Sequence, residues 1–80
     1  DVFNWMKRMF RDFVVGMDYS ENIIVVSTLP GTADGVGSAI DNVGWEEIIG
    51  TVAGDDTVFI VVKPREETEK IYRKLEEFWS

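Results

Sequence analysis

Two adjacent carboxylates, Asp55 and Asp56, sit inside the tetrapeptide Gly54-Asp55-Asp56-Thr57. Neighbouring like charges disfavour each other's ionised form, so such a pair belongs at an exposed turn or opposite a cation. A guanidinium offers parallel donors that match a carboxylate, and charge-assisted pairs of that kind are roughly twice as strong as neutral hydrogen bonds. The pair can equally serve Mg²⁺ in metal-assisted hydrolysis, although no histidine, nucleophile or third clustered carboxylate accompanies it. The plainest alternative is a hairpin loop, since Gly and Asp are favoured turn residues between two apolar runs.

Other residues able to do chemistry are few. Asp34 and Asp41 stand seven apart, two turns along one side of a helix, where solvated acids are ordinary. Pro30-Gly31-Thr32-Ala33-Asp34-Gly35-Val36-Gly37 is glycine-rich and opens a helix, so its N–H groups could receive an anion, but it lacks the lysine of a phosphate-binding loop. The chain has no cysteine and no histidine, which removes disulfides, thiolate metal sites and the commonest general base. Its formal charge of -7 opposes DNA binding, which depends on Lys and Arg neutralising phosphates. The aromatic residues near the N-terminus are therefore expected in a core or interface and not as a platform for bases. An enzyme is not expected. No apolar run approaches the ~20 residues of a membrane span. Asp1 in place of a methionine suggests a piece of a longer protein, and a cytoplasmic location is expected.

The elements that must position these residues follow from periodicity. Residues 2–12 place Val2, Met6, Met9 and Phe13 on one helical face, with Trp5 and Phe10 beside it, and predict a short helix or turn leading into the domain proper, residues 13–80. Phe13–Asp18 and Asn22–Leu29 read as strands joined by a turn at Tyr19-Ser20-Glu21. A helix capped by the Thr32 hydroxyl runs to Val43 along Ala33, Val36, Ile40 and Val43, and its Gly35 and Gly37, each costing roughly 1 kcal/mol against alanine, point to close packing. Residues 48–54 and 57–63 form a second hairpin tipped by Asp55-Asp56. After Pro64 the last helix, residues 65–79, buries Ile71, Leu75 and Phe78 and carries Glu66–Lys70 and Glu69–Arg73 pairs. The order is β-β-α-β-β-α, an α+β fold with a four-stranded antiparallel sheet and two helices packed on one face.

That sheet is apolar on both sides. Ile23 and Val25 oppose Ile24 and Val26, while Val58, Ile60 and Val62 oppose Phe59 and Val61. Two helices cover one face, and the other exposes more apolar surface than the few hundred Å² a monomer tolerates. Either the chain associates with copies of itself, or the N-terminal segment folds over that face.

Several segments together resemble the bacterial arginine repressor family: Met17-Asp18-Tyr19-Ser20-Glu21-Asn22-Ile23-Ile24-Val25, Thr28-Leu29-Pro30-Gly31-Thr32-Ala33, Ile40-Asp41-Asn42 and, most specific, Gly50-Thr51-Val52-Ala53-Gly54-Asp55-Asp56-Thr57. The likeness spans about residues 11–75. It implies a C-terminal domain that forms trimers, two of which stack into a hexamer with L-arginine at the contact. It implies that Asp55 and Asp56 engage the arginine, that Thr51 and Ala53 line its pocket, and that Asp41 is a further contact. Asp34 departs from the family pattern, which carries a residue such as glutamine there. A carboxylate at that place accepts from an α-ammonium but donates nothing to an α-carboxylate. The family's winged helix-turn-helix domain, which would contact operator DNA, lies outside this chain. L-arginine is then an effector, with no metal and no further cofactor. A constitutive oligomerisation module with a merely structural acidic loop remains the alternative.

Overall fold

A computed structural model describes residues 1–79. Three helices and four strands follow one another as α1 (Val2–Phe13), β1 (Val14–Ser20), β2 (Ile23–Thr28), α2 (Ala33–Val43), β3 (Ile48–Ala53), β4 (Thr57–Val62) and, after one 3-10 turn at Arg65–Glu67, α3 (Thr68–Trp79). The strands form one antiparallel sheet in the order β1-β2-β4-β3, so each hairpin contributes one edge strand and one central strand. The expected α+β sheet and its two covering helices are present, with α1 added in front.

Pleating sorts the Ile/Val runs between the two faces. Ile24 and Val26 of β2 and Val58, Ile60 and Val62 of β4 point inward and are buried. Ile71, Tyr72 and Leu75 of α3 and Val36 and Ile40 of α2 cover them. The N-terminal segment makes a full helix whose Met6 and Phe10 are completely buried in the same core. Its buried face therefore centres on Met6 and Phe10, with Met9 and Phe13 packed alongside and Val2 at the margin. α1 thus joins the helical layer and does not fold over the outer face of the sheet, which settles the second alternative raised by the sequence.

Several local expectations change. The first hairpin turns at Glu21-Asn22, because Glu21 adopts φ 54° and Ser20 still pairs with Ile23, so β1 runs two residues beyond Asp18. The Thr32 hydroxyl does not cap α2: it donates to the Leu29 carbonyl at 2.6 Å, closing the preceding turn. Glu69–Arg73 forms at 3.5 Å, but Lys70 reaches Glu67 at 2.9 Å and Glu47 at 3.6 Å in place of Glu66. Gly35 is where α1 crosses α2, since a Cβ there would meet the Met9 methyl at 2.8 Å. Gly37 lies over β3, where a Cβ would make only ordinary contact, 3.6 Å from Ala53.

A fully buried Phe10 in so small a core predicts that Phe10→Ala costs about 3–5 kcal/mol, comparable with the entire stability such a domain commands. Phe3→Ala, on the half-exposed side of α1, should cost well under half of that in urea denaturation.

Candidate functional site

The residues singled out by sequence fall along one seam, where α2 lies beside the edge strand β3. Thr51 and Ala53 face inward there, since they pair with Ile60 and Val58 of the buried row. Asp41 leans across from α2, and its Oδ1 accepts the Thr51 hydroxyl at 2.8 Å. One oxygen of that carboxylate is thereby fixed while Asp41 stays exposed. Asp34 is exposed one heptad earlier on the same helix, roughly 10 Å away at 1.5 Å per residue.

The hairpin tip is held by main-chain bonds. The Asp55 carbonyl accepts from the Gly31 N–H at 3.0 Å and the Ala33 N–H at 3.3 Å, and the Asp56 carbonyl accepts from the Thr28 N–H at 2.8 Å. Within the loop the Gly54 N–H donates to the Thr57 carbonyl at 2.8 Å. Gly31 makes this possible with φ 82°, a conformation that costs an L-residue roughly 1–2 kcal/mol. The N–H groups at Gly31 and Ala33, in the glycine-rich stretch weighed and disfavoured as an anion site from sequence, are occupied by a carbonyl of the chain itself. The two carboxylates are left exposed to solvent, with Asp56 Oδ1 accepting the Thr57 hydroxyl at 2.9 Å.

The seam therefore brings Asp41, Thr51 and Ala53 together near its middle. It joins Asp55 to the start of α2, where Asp34 stands, through the backbone only. Asp56 lies beyond, toward β2. Sequence reasoning found the acids but missed the loop-to-loop lock, whose one local signal was the Pro30-Gly31 pair. Two recesses of about 220 Å³ flank the seam. One is lined by Asp41 and Trp45 among others, and the second opens on the outer sheet face among Val52, Gly54, Thr57 and Phe59. A further recess of about 480 Å³, among Glu46, Glu47, Lys63 and Glu67, lies at the opposite end of the β3–β4 hairpin and touches none of these residues. Among the described residues, no three acidic side chains converge closely enough to hold a metal ion, and no helix is long and apolar enough to cross a membrane.

The outer face carries Ile23 and Val25 of β2, Phe59 and Val61 of β4 and Val52 of β3. Val25, Phe59 and Val52 stand in one row across three strands. Val52 is 71% and Phe59 50% exposed, and Ile49, bulged out of β3, is 62% exposed. Nothing else in the chain lies over them among the described residues.

The lock predicts that Gly31→Ala lowers stability by roughly 1–2 kcal/mol through backbone strain alone, because a Cβ there meets nothing within 4 Å. Asn, which tolerates a left-handed backbone, should recover much of the loss in thermal unfolding.

Comparison with known proteins identifies relatives by sequence. Residues 10–77 match the family described as "Arginine repressor, C-terminal domain". The arginine repressor of Halothermothrix orenii is 62% identical over 77 residues, 96% of this chain and 51% of that protein. That of Pelotomaculum thermopropionicum is 56% identical over 72 residues, 90% of this chain and 48% of the other. That of Thermotoga petrophila is 47% identical over 75 residues, 94% and 49% respectively. The chain spans about half the length of the curated relatives it matches. With an acid-tipped hairpin docked on the α2 loop, an apolar outer sheet face and a match across nearly its whole length, the chain belongs to the arginine repressor family and corresponds to its C-terminal domain.

Proposed function

We propose that this chain is the effector-sensing and oligomerisation domain of a cytoplasmic, arginine-responsive transcription regulator. It takes L-arginine at a contact between two trimers and so favours a hexamer competent to bind operator DNA. DNA contact falls to a winged helix-turn-helix domain in the other half of the protein. The observation that carries this reading is the tip itself: main-chain bonds hold the loop while both carboxylates of Asp55 and Asp56 face outward.

Asp55 and Asp56 take the cationic end of the ligand, Thr51 and Ala53 line its path, and Asp41 supplies a further acceptor. Asp34 accepts from the α-ammonium group. In an assembly that gathers several acid pairs at one contact, their repulsion weakens the unliganded state and arginine relieves it. A ligand that binds only the assembled form stabilises it by ~2.7 kcal/mol at a hundred times Kd. The response at DNA follows from a higher affinity of arginine for the DNA-competent assembly.

A second reading, a constitutive oligomerisation module, draws on the outer row Val25–Phe59–Val52, which needs covering whether or not a ligand is present. Sedimentation velocity separates the two. L-arginine should shift the chain to a heavier species, while citrulline, matched in shape but uncharged, should not. Assembly indifferent to arginine overturns the sensing role. In calorimetry Asp55→Asn should weaken arginine binding by about tenfold or more, as expected for losing a charge-assisted bond. Phe59→Lys should shift the equilibrium toward monomer with or without ligand, through the apolar area it removes from the contact.

A further inference from the structure

β1 reads Val14-Val15-Gly16-Met17-Asp18-Tyr19-Ser20, a run with β-branched and aromatic residues that closes the sheet on one side. An edge strand of that kind presents unpaired N–H and C=O groups and invites a strand from another molecule. Its register says which groups are on offer. Glu21-Asn22 is a two-residue turn, so Ser20 and Ile23 make a bonded pair, and in an antiparallel ladder bonded pairs alternate with unbonded ones. Asp18 therefore spends its main-chain groups on β2, while Met17 and Tyr19 turn theirs to the free side.

Side chains already hold that side. The Tyr72 hydroxyl of α3 donates to the Met17 carbonyl at 3.0 Å. The Tyr19 N–H donates to Asp18 Oδ1 at 2.8 Å. At the start of the strand the Trp79 indole N–H donates to the Val14 carbonyl at 3.1 Å. The spacing of the helix matches that of the strand. Tyr72 and Trp79 stand two turns apart on α3, about 10 Å, and their acceptors lie three residues apart on β1, also about 10 Å. The Tyr72 ring packs on Tyr19 with centroids 4.6 Å apart. Burial, and then the Glu76 and Asp18 carboxylates, push its phenol above the usual range, which keeps the donor proton in place. A bonded pair with an incoming strand uses both the N–H and the C=O of one residue. Met17 has its acceptor engaged and Tyr19 its donor, so neither completes a pair without first breaking a bond to a side chain.

We propose that the β1 edge is an autoinhibited pairing surface, which Asp18, Tyr72 and Trp79 hold shut against the β1 edge of a second copy of this chain. Two such edges, related by a two-fold axis, would otherwise join the sheets of two molecules into one. Closing the edge leaves the apolar outer face for contact between copies. That last consequence rests on the oligomerisation reading above; the closure itself does not.

The test is made in the Phe59→Lys background, where the outer face carries a charge. The triple variant Asp18→Ala, Tyr72→Phe, Trp79→Phe opens the edge, and Ile71→Val serves as a control that loosens the core without touching β1. Sedimentation velocity at matched concentrations reads association, and amide hydrogen exchange reads where it occurs. The open-edge variant should associate about tenfold or more tightly than its Phe59→Lys parent, with the Met17 and Tyr19 amides gaining protection as concentration rises. Ile71→Val should change neither. Should the triple variant not fold, Asp18→Ala with Tyr72→Phe, which leaves every ring in place, is read instead. Association no stronger than in the parent, or raised equally by Ile71→Val, overturns the proposal, as does association without new protection on β1. A Phe59→Lys chain that stays fully assembled counts against the outer-face reading alone, and protection on β1 then still decides this one.

Discussion

The molecule is organised around a sheet that is hydrophobic on both sides and a chain with helices enough for one. Ile24, Val26, Val58, Ile60 and Val62 commit the inner side to Met6, Phe10, Ile71 and Leu75, and α1 spends its apolar face there as well. With all three helices in one layer, Phe59 and Val52 are left to water and Val25 beside them is only half-buried. A domain this small draws little more than a few kcal/mol from a single core. Its inner and outer faces are therefore linked problems, because residues that stabilise the fold inside alternate with apolar residues on the outer face.

The acids sit at the margin of that arrangement, where a hairpin tip can be supported from within while its side chains look outward. Support comes from the turn between β2 and α2, whose amides reach the carbonyls of Asp55 and Asp56. Charge and shape are thereby separated: backbone dipoles set the loop's course, and the carboxylates contribute nothing to holding it apart from the Thr57 contact at Asp56. Asp41 is positioned differently, by a side chain on the neighbouring strand. The α2–β3 seam thus combines one rigid backbone anchor with one tunable side-chain contact.

Much of this was legible in the residues. Strands read from sequence at 13–18, 22–29, 48–54 and 57–63 stand within one or two residues of those observed at 14–20, 23–28, 48–53 and 57–62, and the acid pair falls at a hairpin tip as its turn chemistry requires. The unreadable parts are those where two segments compete for one group. The Thr32 hydroxyl could serve the helix after it or the carbonyl before it, and only the closed turn at Leu29 decides. Glu21 accepts a left-handed backbone because the strands on either side fix the register of a two-residue turn. The docking of α1 depended on which face of the sheet had room, and the bonds from Gly31 and Ala33 to Asp55 join amides and carbonyls that every residue owns. Beyond the Pro30-Gly31 pair, these main-chain partners leave no trace in side-chain types.

Because peptide groups and not carboxylates fasten the tip, the two positions at its apex are open to chemical replacement. Exchanging Asp55 for an amide, or for a base, alters the charge of the loop without removing a side-chain bond that shapes it, whereas Asp56 also accepts the Thr57 hydroxyl. The same turn, clamped by the same amides, can display a different group at position 55.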